Sequence, residues 1–136
     1  MSHILRSTFK HRKGGKTWTN EELIGEGNFS TVYKVVEFGV TLAVKKVPNT
    51  RGEALQEMKL LEQVDHENII SYHRSYLEDG KICIVMEYAD KGTLTTRVEC
   101  YAEHPSNIFF KEWYVWIVLC NLSAGLSYLI IGFKLS

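Results

Sequence analysis

Apolar and polar positions change period several times along this chain of 136 residues. Trp18 to Ile24 opens the patterned region, and Leu23 to Tyr33 reads as strand, glycine turn, strand, with the turn at Gly25-Glu26-Gly27-Asn28. Val32 to Phe38 is β-branched and aromatic, and Gly39 supplies the next turn. Thr41 to Val47 predicts a third strand, stopped by Pro48 and the polar Asn49-Thr50-Arg51-Gly52. From Glu53 to Val64 the period becomes helical, because Leu55, Met58, Leu61 and Val64 recur every three residues and form an apolar stripe. Ile69–Tyr76 and Lys81–Tyr88 return to strand, joined by the hairpin signal Glu78-Asp79-Gly80. Gly92 to Ala102 predicts a short helix ending before Pro105, and Phe110 to Leu129 predicts the longest.

Three strands, one helix, two strands and then helices, joined by hairpin-length connections, predict an antiparallel sheet and an α+β class. Hydrophobic residues make up 45% and charged residues 24% of the chain, which is the balance of a folded protein and not of a disordered one. The formal net charge is zero, which argues against a surface built to grip nucleic acid. The charge is unevenly placed all the same. Residues 1–16 carry Arg6, Lys10, Arg12, Lys13 and Lys16 with no acid, so they read as a solvated basic arm, and the rest of the chain is net acidic. That arm has no apolar core of the kind a secretory signal needs. Cys83, Cys100 and Cys120 form no C-x-x-C pair, which fits a reducing, cytoplasmic setting better than a disulfide framework.

Three features carry chemistry. Glycines at 25 and 27 let a backbone approach phosphate oxygens and present amide donors to them. On a strand, Ala43 and Lys45 share a face, so a small apolar surface and an ammonium point the same way. Among Val44 and Val47 that ammonium needs an anion, and the sources in reach are a ligand phosphate and Glu57 at the margin of the helical stripe. Taken singly, each has a bland alternative: a hairpin glycine, an edge-strand lysine, a solvated helical acid.

Taken together and in this order, the residues from Trp18 to about Leu129 resemble the amino-terminal lobe of a eukaryotic protein kinase and the first helices of its large lobe. The resemblance implies a five-stranded antiparallel sheet with one regulatory helix. It implies that Gly25, Gly27, Phe29 and Val32 belong to the glycine-rich loop, that Ser30 takes the place of its third glycine, that Lys45 binds phosphate and that Glu57 is its helix partner. Asp65-His66-Glu67-Asn68-Ile69-Ile70 looks like the link from that helix into the fourth strand, and Ile84-Val85-Met86-Glu87-Tyr88-Ala89 like the fifth strand and hinge. The same resemblance makes Met86 the gatekeeper, sets the backbones of Glu87 and Ala89 against adenine, covers the base with Ile24, Val32 and Ala43, and directs Thr93 to the ribose. Leu61 and Tyr72 fall on the family's internal hydrophobic column. Met86-Glu87-Tyr88-Ala89, Phe110-Lys111-Glu112 with Trp116, and Ala124-Gly125-Leu126 with Tyr128-Leu129 look most like the NIMA-related serine/threonine kinases.

The sequence departs from the pattern in places. Lys45 and Glu57 are only 12 positions apart, an interval that predicts an abrupt helix start, and the adjacent Lys46 is a rival for the phosphate lysine. Lys45 is preferred because that register sets Ala43 over the base. After Leu129 the residues read Ile130-Ile131-Gly132-Phe133-Lys134-Leu135-Ser136, with neither H-R-D nor D-F-G anywhere, so the general base and the metal-holding side chains of the family are missing. The expectation is a truncated, catalytically silent kinase domain that binds ATP weakly and takes Mg only with the nucleotide. It divides into a basic arm at 1–16, a small lobe with hinge at 17–91, two helices of an incomplete large lobe at 92–129 and a divergent tail at 130–136. Trp113 to Phe133 holds no charge, so it reads as a core helix awaiting cover from a full-length kinase, a regulator or a chaperone. A tail anchor in a membrane is the lesser alternative.

Overall fold

A computed structural model describes residues 15–49, 52–102 and 112–134. The basic arm up to Gly14, the Pro105 stop and the last two residues lie outside them. The chain divides into two compact units, one made of the residues up to Asp65 with Ile70–Tyr88, the other of His66–Ile69 with the residues from Ala89 onward.

The first unit is a five-stranded antiparallel sheet with one helix. Its strands are β1 (Glu22–Glu26), β2 (Thr31–Glu37), β3 (Val40–Pro48), β4 (Tyr72–Glu78) and β5 (Lys81–Glu87), in the spatial order β1-β2-β3-β5-β4, and helix α1 (Glu53–Gln63) lies between β3 and β4 in sequence. Two hairpins are closed by two-residue turns whose central residues both have positive φ, Phe38-Gly39 (48° and 79°) and Asp79-Gly80 (49° and 72°). That is the mirror-image turn whose twist matches a right-handed strand pair. It also corrects one boundary, since the aromatic run does not carry β2 through Phe38: the chain reverses there. The fourth strand likewise starts at Tyr72 and not at Ile69, because Ile69 donates its N–H to the His66 carbonyl and closes a turn. Helix α1 begins without a side-chain cap on Gly52, whose φ is 70°.

Alternation along the strands gives the sheet two faces with different contents. One buries Val35, Leu42, Val44, Cys83 and Val85 beneath Trp18. The other packs Ile82 and Ile84 with Val47, Tyr72 and Met86 against Met58 and Leu61 of α1. On the Trp18 face lies a buried ion pair. Arg74 donates Nη1 to Glu37 Oε2 at 2.9 Å and Nη2 to Glu37 Oε1 at 2.8 Å, with Glu37 2% and Arg74 5% exposed. The segment before β1 is strapped to this pair: Gly15 offers its carbonyl to Arg74 at 3.4 Å, the Thr17 hydroxyl donates to Glu37, and the Trp18 ring lies 5.6 Å from the guanidinium.

Glu21 ends the strap as an electrostatic knot. It accepts from Trp18 Nε1 at 3.0 Å and Lys46 Nζ at 2.9 Å and pairs with Lys16 at 3.1 Å, while Lys46 also reaches Glu78 at 3.0 Å. Burial alone would raise the Glu21 pKa, but these donors overcome it and hold the carboxyl at about 2. A folded-state pKa below the unfolded value means stability that is complete above pH 5 and lost as pH falls toward 2. Unfolding measured across that range should therefore show an acid slope, and Glu21→Gln should flatten it.

In the second unit, α2 (Leu94–Ala102) and α3 (Glu112–Lys134) are joined by an Arg97 Nη1 to Tyr114 hydroxyl hydrogen bond of 3.3 Å. Gly125 of α3 is the point of close approach to the 66–69 turn, where an added Cβ would come 3.4 Å from Ile69 and 3.5 Å from the Asn68 carbonyl oxygen. The His66 and Tyr128 rings lie 5.0 Å apart beside it. The helix runs on to Lys134, past the residues at which the sequence pattern diverges. Glu112–Gly132 is long and apolar enough to cross a membrane by length and composition, a test that core helices of soluble proteins also pass.

Candidate functional site

The site is built on the sheet face that also carries α1. Strand register sets Val32 directly opposite Lys45, Ala43 opposite Met86, and Lys45 opposite Ile84, so residues from three neighbouring strands form one surface. Ala43 is buried and Met86 partly so, giving an apolar floor at the end of β5. From that floor Lys45 extends its ammonium to Glu57 on α1, donating at 2.7 Å to Oε1 and 3.0 Å to Oε2. The lysine is 26% and the glutamate 42% exposed, so the pair sits at the edge of the surface and is partly open to solvent. Alternation takes Lys46 to the opposite face, where Glu21 and Glu78 hold it over the Tyr33 ring at 5.0 Å. Burial lowers the Lys46 pKa and the two carboxylates more than reverse this, so the net displacement is upward. Of the two adjacent lysines, only Lys45 faces α1.

The glycine-rich turn links β1 to β2. Gly27 donates its N–H to the Ser30 carbonyl at 2.8 Å, and Phe29 stands exposed at the tip. Neither Gly25 nor Gly27 has a positive φ, and a Cβ on either would meet only ordinary contacts, with Val32 at 3.7 Å and with Ser30 at 3.6 Å. The turn itself can accept side chains at both places.

Ile24 lies at an irregularity in the β1–β2 pairing, between Leu23 and Gly25, and is exposed. At the far end of the surface, Glu87 donates its N–H to the Ser71 carbonyl at 2.9 Å and accepts the Ser71 N–H on its carboxylate at 3.1 Å, which ties β5 to the residues leading into β4. Ala89 and Thr93 belong to the second unit. There the Thr93 side-chain oxygen accepts the Thr96 N–H at 3.1 Å at the start of α2, a capping role that the expectation of a ribose contact did not include. Among the described residues no cluster of three or more His, Cys, Asp or Glu side chains is arranged to hold a metal ion.

Sequence reasoning missed the strap. Trp18 appears in the sequence only as the start of the patterned region, and Glu37 and Arg74, 37 positions apart, carry no signal of pairing. It also treated Lys46 only as a rival to Lys45 and not as the centre of a structural knot.

The pattern that defines the protein kinase domain matches residues 18–130. Over 106 residues, 72% of this chain and 10% of the other, the sequence is 30% identical to "Cell division control protein 7" of Schizosaccharomyces pombe. It is 34% identical to "Probable serine/threonine-protein kinase nek3" of Dictyostelium discoideum over 84 residues, 56% of this chain and 8% of the other. It is 29% identical to "Serine/threonine-protein kinase Nek11" of Macaca fascicularis over 128 residues, 83% of this chain and 20% of the other. The chain thus spans a fifth or less of the length of these curated relatives, two of which are NIMA-related kinases. A family match over most of the sequence, on a five-stranded sheet whose third strand pairs a lysine with a helical glutamate, places the chain in the protein kinase domain family.

Proposed function

We propose that these 136 residues form the nucleotide-holding lobe of a serine/threonine kinase and bind Mg-ATP weakly without transferring its phosphate. The observation that carries this reading is the Lys45–Glu57 pair, 2.7 Å long and set beside an apolar surface of Val32, Ala43 and Met86. A partly exposed ammonium held by one carboxylate is pre-aimed for phosphate oxygens, while the neighbouring apolar side chains suit the face of a purine. The bare turn at Gly25 and Gly27 lets backbone amides reach the same phosphates. When bound, Mg would arrive with the nucleotide and neutralise part of its charge.

Phosphoryl transfer needs a base and metal-holding groups, and the sequence has neither H-R-D nor D-F-G. A polypeptide joining this lobe to such a loop would phosphorylate Ser or Thr. The test is melting of the 136-residue chain with and without Mg-ATP. The wild type should be stabilised, Lys45→Ala should weaken ATP binding by about ten- to a hundredfold through loss of a charge-assisted hydrogen bond, and neither should phosphorylate a generic protein substrate. No stabilisation of the wild type, or equal stabilisation of the variant, overturns the nucleotide reading. Metal-dependent transfer abolished in Lys45→Met overturns the silent one.

A second reading is favoured by α3, whose Trp113, Trp116, Leu119, Leu122, Leu126 and Ile130 are all exposed. On this reading the residues act as a binding module in the cytoplasm, covered by a complete kinase, a regulator or a chaperone. Co-purification with a complete kinase that survives Trp116→Asp and Leu119→Asp would rule out α3 as the contact. Resistance to an alkaline carbonate wash would instead favour the membrane alternative.

A further inference from the structure

Strand β4 contains an irregularity that the nucleotide reading leaves unused. Tyr72 pairs with Met86, Arg74 with Val85 and Ser75 with Ile84, so the register slips between Tyr72 and Arg74 and His73 is the extra residue. In a regular strand Tyr72 and Ser75, three apart, would point to opposite faces. The bulge turns Tyr72 over, and both side chains emerge on the face packed by α1. There they form a relay in which the Tyr72 hydroxyl donates to Ser75 Oγ at 3.1 Å, and the Ser75 hydroxyl donates to the Met58 sulfur at 2.8 Å.

Met58 is the residue after Glu57 on α1. Among the described residues, the other polar link from that helix to the sheet is the Lys45–Glu57 pair itself. Its first residue follows a left-handed Gly52 with no side-chain cap, and apart from the Lys45–Glu57 pair it packs on the sheet through the apolar side chains of Met58 and Leu61, which slide without directional penalty. A hydrogen bond has direction where dispersion has none. The Tyr72–Ser75–Met58 relay is therefore a second directional link between the sheet and α1, one residue from Glu57 and independent of the Lys45–Glu57 pair, whose distance depends on where α1 sits.

We infer that Ser75 is a positioning residue of the nucleotide site, seating α1 through Met58 so that Glu57 meets Lys45. The inference rests on the nucleotide reading for its purpose but not for its geometry, and the experiment separates the two. Lysine acetylation of the 136-residue chain by an amine-reactive ester, read by mass spectrometry, reports how well each ammonium is held. Lys46 lies on the other face and serves as the internal reference.

Ser75→Ala should raise the Lys45 rate about three- to fivefold, as expected for loss of one hydrogen bond, and leave Lys46 unchanged. Ser75→Thr, which keeps the hydroxyl, should restore the wild-type ratio. An unchanged ratio in Ser75→Ala, or equal rises at both lysines, overturns the inference, because the first means no coupling and the second a general loosening. A parallel titration compares ATP with adenosine, which has no phosphate for Lys45. Ser75→Ala should weaken ATP about three- to fivefold and leave adenosine unaffected, again the share of one hydrogen bond. A wild type that binds neither ligand, with the acetylation ratio shifting as expected, would overturn the nucleotide reading and leave the seating role standing.

Discussion

Arg74→Met should lower folding stability by about 3–5 kcal/mol, because it takes the countercharge and both guanidinium hydrogen bonds away from a carboxylate held in the interior. Glu37 is 2% exposed, and both its oxygens accept from the guanidinium. The expected signature is a shift of the urea midpoint with little change in slope. The double variant Glu37→Met with Arg74→Met should recover most of the loss, since a buried ion pair gains little over apolar side chains of similar volume. Near-additive losses would mean instead that the two residues act independently, against the geometry. The pair matters beyond its own energy because Thr17 and Gly15 are fastened to it.

The second large effect is expected at Trp18. Its ring is 6% exposed, sits in a cluster with Val35, Leu42, Val44, Cys83 and Val85, and meets Tyr76 edge-on at 6.1 Å. Trp18→Ala should cost about 3–5 kcal/mol, the usual range for removing a large aromatic side chain from a packed interior. Against a typical total of 5–15 kcal/mol that is enough to unfold a marginal domain. Trp18→Phe should lose only part of it, keeping the ring while giving up the indole hydrogen bond to Glu21. Equilibrium unfolding checks both. A loss below 1 kcal/mol for Trp18→Ala, well under the range for such truncations, would mean the strap lies on the sheet without contributing to its core.

What the sequence disclosed follows from which interactions are local. The strands and α1 were legible because alternation and helical period put particular side chains on particular faces, whereas the Lys45–Glu57 pairing, which those periods left open against a ligand phosphate, came from the family resemblance. Phe38 misled because a bulky aromatic seldom takes a positive φ, and its β propensity said strand. Ile69 misled for a similar reason, being β-branched but taken up by the turn that starts at His66. The strap and the Arg74–Glu37 pair were invisible because nothing in the spacing of residues 15–18, 37 and 74 marks them as neighbours. The bulge at His73 was hidden too, since Tyr-His-Arg-Ser has no glycine to announce an extra residue.

The adjacent lysines on β3 have opposite duties, one answering to α1 and the other to Glu21 and Glu78. They differ by a single step along the strand. A one-residue insertion upstream of them in β3 would carry Lys45 to the position held by Glu21 and Glu78, whereas a one-residue deletion would drive Lys45 into the buried place of Val44. The strand's length is therefore constrained more tightly than its composition: Val44 can give way to another branched side chain, but the number of residues between the Phe38-Gly39 reversal and Lys45 cannot change.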